Sequence, residues 1–186
     1  MIKRVRPKYS DAELKRIYAR PHDHKNWHDH LIRVSQTSEM VKWICLDENV
    51  KTGADLSCGN AAIVNSVFAP RPIKWHLGDF ARGYQYHGPI EETIKQIPDV
   101  DIFVLSETLE HLDDPGKVLW EIRQKTKTIV LSTPDDAGDD PNPEHYWSWN
   151  TTDIEDMLKD VGFEPFVLNQ LKLYDYLYDF QIWGAR

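Results

Sequence analysis

The stretch from Lys51 to Val64, KTGADLSCGNAAIV, constrains the fold of this chain more than any other. It predicts a short strand over 52–57, a tight turn at 57–60 and a helix over 60–68. Such a turn brings backbone N–H groups toward a small polar ligand, and Gly59 has no Cβ to obstruct the approach. Taken alone, a glycine between strand and helix is also ordinary punctuation of an α/β chain.

The segments that follow repeat the alternation. A second strand is expected over 73–78 and ends in Asp79, 24 residues after Asp55. An acid near that distance, at the tip of the next strand, is where nucleotide-binding sheets hold two ribose hydroxyls. A surface aspartate ending a strand is the plainer alternative. A short strand near 84–87 and a helix over 90–96 lead to an apolar strand at 101–106, whose tip carries Ser106, Glu107 and Thr108. A helix over 115–125 opens on Pro115, a residue suited to a first turn. A strand at 128–132, a helix over 152–160 stopped by Gly162, and two antiparallel strands within 163–173 and 176–183 complete the pattern. Ahead of all this, Ser10 and Glu13 form a capping-box pair for a helix over 10–20 that Pro21 ends. Residues 28–46 predict a second helix with Leu31, Val34, Met40, Val41 and Ile44 on one face. Alternating βα units with a terminal hairpin predict an α/β fold, a mostly parallel sheet between helical layers, with ligands at the C-terminal strand ends.

DLSCGNA resembles the first motif of class I S-adenosylmethionine-dependent methyltransferases, and DIFVLSETLEHLDDP resembles their fourth-strand motif. TIVLSTP, from Thr128 to Pro134, is similar to their fifth strand, and EHYWSWNTTDIEDMLKDVGFEP to the segment after it. The matches stand in family order over residues 50–166. The resemblance implies a Rossmann-like three-layer sandwich ending in an antiparallel hairpin, with residues 1–48 as a helical lid and 49–186 as the methyltransferase domain, one structural unit overall. It implies S-adenosylmethionine as cofactor and methyl transfer to an oxygen or nitrogen of a small-molecule acceptor. A cofactor-binding protein without transferase activity, or a methyltransferase acting on a macromolecule, are the alternatives. A nucleotide-dependent oxidoreductase on a similar sheet is disfavoured, since Gly59 is the only glycine from Asp55 to Val67 and the GxGxxG spacing is missing.

By the same resemblance, Asp55, Leu56, Ser57, Cys58 and Gly59 would hold the methionine end, Asp79 and Phe80 the ribose, and Gly88, Pro89, Ile90 and Glu91 the adenine. Ser106, Glu107 and Thr108 would stand beside the methyl group. Glu107 could serve as a general base, as a neutraliser of sulfonium charge, or as a cap of the following helix. His145 could take a proton near neutral pH, with His111 as the second candidate, and Tyr146 and Trp147 could wall the acceptor. The chain departs from the family in two ways. Ser57 and Ala61 stand where glycine is usual, and the Gly-Asp pair that takes the adenine amino group is replaced by Gly88-Pro89-Ile90-Glu91.

Composition narrows the setting. At 186 residues, 41% hydrophobic and 28% charged, the chain is most simply one globular domain. No apolar run approaches the roughly 20 residues of a membrane span, and the basic start lacks the apolar core of a secretory signal. Two cysteines, Cys45 and Cys58, suit a reducing cytoplasm. A net charge of −8 argues against a broad nucleic-acid surface. The basic residues before position 20 read either as an arm for an anionic partner or as a frayed, solubilising terminus. The acidic run at 135–140 favours a cationic or neutral acceptor. The tract PHDHKNWHDH at 21–30 matches no specific zinc spacing, and no metal ligand is assigned. Oligomeric state is left open.

Overall fold

The strands Ile102–Ser106 and Ile129–Pro134 open on apolar runs, and pairing at the centre of a sheet buries them on both faces. The computed structural model describes residues 2–19, 26–68, 71–135, 140, 142–174, 176 and 178–186. In chain order the elements are β1 (Lys3–Arg4), α1 (Asp11–Ile17), α2 (His28–Asp47), β2 (Thr52–Asp55), α3 (Ala62–Asn65), β3 (Lys74–Asp79), β4 (Tyr86–His87) and α4 (Ile90–Thr93). They continue with β5 (Ile102–Ser106), α5 (Pro115–Arg123), β6 (Ile129–Pro134), β7 (Trp147–Ser148), α6 (Thr151–Asp160), β8 (Pro165–Leu171) and β9 (Phe180–Ala185).

Seven strands form one sheet in the order β4-β3-β2-β5-β6-β9-β8. From β4 to β6 all neighbours are parallel, and β9 runs antiparallel to both β6 and β8. The chain enters at β2, winds outward to β4, then returns to place β5 on the other side of β2. That reversal opens a crevice at the C-terminal ends of β2 and β5. Successive β5 side chains face opposite layers. Phe103 and Leu105 join Leu119, Ile122 and Leu158 beneath α5 and α6. Ile102 and Val104 meet Met40, Val41 and Ile44 of α2. Among the described residues, no helix is long and apolar enough to cross a membrane.

Several predicted boundaries shift. The strand over 52–57 stops at Asp55, and the helix over 60–68 contracts to the single turn of α3. The helix over 90–96 is α-helical only to Thr93 and tightens to a 3-10 turn over Ile94–Gln96. The strand near 84–87 is two residues long. It lies against β3 because a Cβ on Gly78 would stand 2.7 Å from the Tyr86 carbonyl oxygen. Helix α2, read as part of a lid, is instead a layer of the sandwich, since its buried face is continuous with the core. Around α1, the predicted capping box between Ser10 and Glu13 is present. Pro21, its predicted stop, lies outside the described residues.

The basic terminus is tied down rather than frayed. β1 pairs antiparallel with β7, Arg4 bridges Asp113, and Arg6 donates to the carbonyls of Asp140 and His145. This second small sheet, joining residues 3–4 to 147–148, has no counterpart in the sequence reading.

Candidate active site

The turn after β2 is held by backbone. Cys58 N–H donates to the Gly78 carbonyl at 3.0 Å, and Ala61 N–H to the Cys58 carbonyl at 2.6 Å. Gly59 (φ 55) and Ala61 (φ 58) are both left-handed. A Cβ at Gly59 would meet no atom within 4 Å, so the turn faces open space there. Ala61 is tightly buried among Cys58, Val64 and Trp75. Its left-handed backbone costs about 1 kcal/mol, against about 0.8 kcal/mol stabilisation from its buried methyl group. Ala61→Gly is thus expected to change stability by less than about 1 kcal/mol, whereas Ala61→Val, β-branched at positive φ, should lose about 2 kcal/mol or more. Urea unfolding midpoints compare the two directly.

Two acids close the strand tips. Asp79 accepts the Gly59 N–H on Oδ2 and the Ala81 N–H on Oδ1, both at 2.8 Å. Asp55 is 2% exposed. Burial pushes its pKa up to about 7; the Asp79 charge adds to this, and the Ser57 N–H and Arg33 oppose it.

At the tip of β5, Glu107 adopts a left-handed backbone (φ 49) and donates its N–H to the Ser132 carbonyl at 2.8 Å. The Thr108 hydroxyl lies 2.7 Å from Ser57 Oγ, tying this tip to the turn after β2. Arg33 enters from α2. Its Nη1 donates to Ser106 Oγ and to Ser132 Oγ, and its Nη2 lies 3.0 Å from His30 Nδ1. Its Nε stands 3.8 Å from Glu107 Oε1. Both of these atoms are buried and without a hydrogen-bond partner among the described residues. Burial raises the Glu107 pKa, with Arg33 and His145 pulling the other way.

The loop after β6 supplies the far wall. His145 Nδ1 is 2.5 Å from Asp140 Oδ2, and Tyr178 OH donates to Asp140 Oδ1 at 3.0 Å. Burial opposes charge on His145, but Asp140, Glu110 and Glu107 together raise its pKa. His111 meets His145 edge to face at 4.8 Å between ring centroids. Glu110 accepts the Thr133 hydroxyl at 3.0 Å, and burial followed by the Glu107 charge pushes its pKa up to about 8.

One cleft of about 580 Å³ runs between the strand tips and this loop, with Glu110 and Asp140 behind its lining. Asp55 to Gly59, Asp79, Phe80, Gly88 to Glu91, Ser106 to Thr108, His111 and His145 all line it. Tyr146 and Trp147, expected to wall the acceptor, do not. Trp147 is turned away by its pairing with β1. Its Nε1–H donates to the Leu112 carbonyl at 2.7 Å, and the Arg4 guanidinium covers its ring. Tyr146 is 1% exposed and accepts the Tyr9 N–H on its hydroxyl. The aromatic wall comes from Tyr18, Trp27, Phe80, Tyr178 and Phe180 instead. Of these only Phe80 was legible, because the others reach the cleft across long stretches of chain. Of the His-rich tract, Trp27, Asp29 and His30 line the cleft, while residues 21–25 lie outside the described residues, as do 136–139 of the acidic run.

No family model and no curated protein sequence matches the chain. Solved structures do. The 1,6-didemethyltoxoflavin-N1-methyltransferase of Burkholderia thailandensis, with its acceptor and S-adenosylhomocysteine bound, superposes with a TM-score of 0.70 at 13% identity, over 100% of this chain and 94% of that one. The magnesium protoporphyrin IX methyltransferase of Synechocystis, with S-adenosylhomocysteine bound, gives 0.65 at 14% identity, over 94% and 92%. Strand order, the crevice beside β2 and these likenesses together identify the fold of this chain as that of the class I S-adenosylmethionine-dependent methyltransferases.

Proposed function

We propose that the chain binds S-adenosylmethionine and transfers its methyl group to an oxygen or nitrogen of a small-molecule acceptor. The observation that carries this reading is the buried pair Arg33 and Glu107. Among the described residues, Arg33 Nε is a donor without an acceptor and Glu107 Oε1 an acceptor without a donor, 3.8 Å apart. A zwitterionic amino-acid end, one carboxylate and one ammonium, matches both unfilled valences, and leaving such groups unmade in a buried site is costly. Asp79 at the next strand tip suits a ribose, and the backbone and apolar side chains of Gly88 to Ile90 suit an adenine. Both solved structures reported above are of methyltransferases named for small-molecule acceptors, which favours an acceptor of that class.

When bound, the cofactor supplies a methyl group on a sulfonium, which leaves as the C–S electron pair returns to sulfur. The protein's share is to hold the acceptor in line with that bond and to keep water out. Glu107, His111 and His145, which line the cleft, would take a proton from an acceptor that must lose one. Calorimetric titration with S-adenosylmethionine, S-adenosylhomocysteine and NADH is the test. Micromolar binding of the two sulfur ligands and none of NADH is expected; no binding of either sulfur ligand overturns the reading.

A further inference from the structure

Glu110, His111 and His145 offer ligand atoms that all lie within 4.8 Å of one another. Such clusters are common, and the supporting detail lies one layer out. His145 donates its Nδ1–H to Asp140 Oδ2, and His111 donates its Nδ1–H to the Glu144 carbonyl at 2.9 Å. Each of these bonds leaves the Nε2 of its ring as the lone-pair nitrogen. An imidazole held through Nδ1–H by a carboxylate or a carbonyl is the arrangement that orients metal-binding histidines. Asp140 is itself fixed by the Tyr178 hydroxyl and the Asn142 N–H.

The third group supplies an independent sign. Glu110 is 1% exposed, and one oxygen is satisfied by Thr133. The other, Oε1, is buried without a hydrogen-bond partner among the described residues and stands 3.8 Å from His111 Nε2. A fold does not ordinarily bury a carboxylate oxygen beside two imidazoles and leave it unsatisfied.

We propose that Glu110, His111 and His145 form a binding site for a divalent transition-metal cation at the acceptor end of the cleft. Two imidazoles and one carboxylate suit Mn²⁺, Fe²⁺, Co²⁺ or Zn²⁺, whereas Mg²⁺ and Ca²⁺ prefer all-oxygen sets. Ligands sharing one such ion stand about 3–4 Å apart, so the widest pair closes by about 1–2 Å on binding, with the Asn142 amide moving off His145 Nε2. Three protein ligands leave positions open toward the cleft. On the methyltransferase reading above, an acceptor hydroxyl would fill one and have its pKa lowered, releasing its proton to water or to Glu107 in place of the two imidazoles, whose lone pairs the ion takes. This narrows the acceptor to an oxygen-bearing compound.

The test titrates Mn²⁺ and Zn²⁺ into the full chain by calorimetry, with Mg²⁺ as control and S-adenosylhomocysteine affinity measured in parallel. One Mn²⁺ or Zn²⁺ per chain is expected, weakened about 10-fold or more in Glu110→Gln and His111→Ala. S-adenosylhomocysteine binding should be retained in both variants, which also reports their folding. His111→Asn, a more conservative change, stands in if His111→Ala does not fold. Absence of binding by both cations overturns the site. So does binding that these variants leave unchanged, which would belong to the His-rich tract at 21–30. Cation binding without any S-adenosylhomocysteine binding keeps the site and removes the methyltransferase reading.

Discussion

Asp79→Ala is expected to weaken S-adenosylhomocysteine binding by about 100-fold or more. A carboxylate accepting two ribose hydroxyls makes two charge-assisted hydrogen bonds, each about 1.5–3 kcal/mol, and about 1.4 kcal/mol is tenfold in affinity. The structure adds a second route to the same loss. Asp79 also accepts the N–H groups of Gly59 and Ala81, so removing it frees the turn that faces the cleft. Asp79→Asn separates the two contributions. It keeps one carbonyl oxygen for a turn N–H but gives up the charge and one acceptor. An affinity for Asp79→Asn midway between wild type and Asp79→Ala is the expected calorimetric result. Unchanged affinity in both variants would remove Asp79 from the ribose site.

The second large effect is on stability against pH. Asp55 is held at about 7 by burial, above the ordinary aspartate value of 3.8. A carboxyl whose folded-state pKa is raised binds its proton more tightly in the folded chain. Its contribution is fully present below about pH 4 and is lost as pH climbs through about 7. A gap of about three units is on the order of 4 kcal/mol. Urea unfolding at pH 5 and at pH 8.5 should therefore find the chain several kcal/mol less stable at the higher pH. Glu110, pushed up to about 8, acts in the same direction, so Asp55→Asn, neutral at both, should reduce that difference by about 2–3 kcal/mol without abolishing it. A profile that is flat in the wild type, or equally steep in the variant, would show that Asp55 ionises freely in the folded chain.

Local signals proved the readable ones. The Ser10–Glu13 capping box, the apolar run of β5 and the glycine turn after β2 each act within a few residues, so their physics is written in adjacent letters. The short elements were harder. A helix of four residues at Ala62–Asn65 and a strand of two at Tyr86–His87 bury too little surface to leave a periodic pattern, and packing alone fixes their ends.

The amino-acid sequence by itself determined the alternation of strands and helices, the order of the tip residues Asp55, Asp79 and Glu107, and so the end of the sheet at which a ligand can sit. Tertiary structure decided the rest of the site. It turned Tyr146 and Trp147 away, because pairing with residues near the N-terminus sets which face each one takes. It drew Arg33 from α2 to the tip of β5, and brought His145 to Glu110 and His111 across more than thirty residues of chain. The reason is that side-chain direction in a loop is set by its distant partners, which no local pattern records.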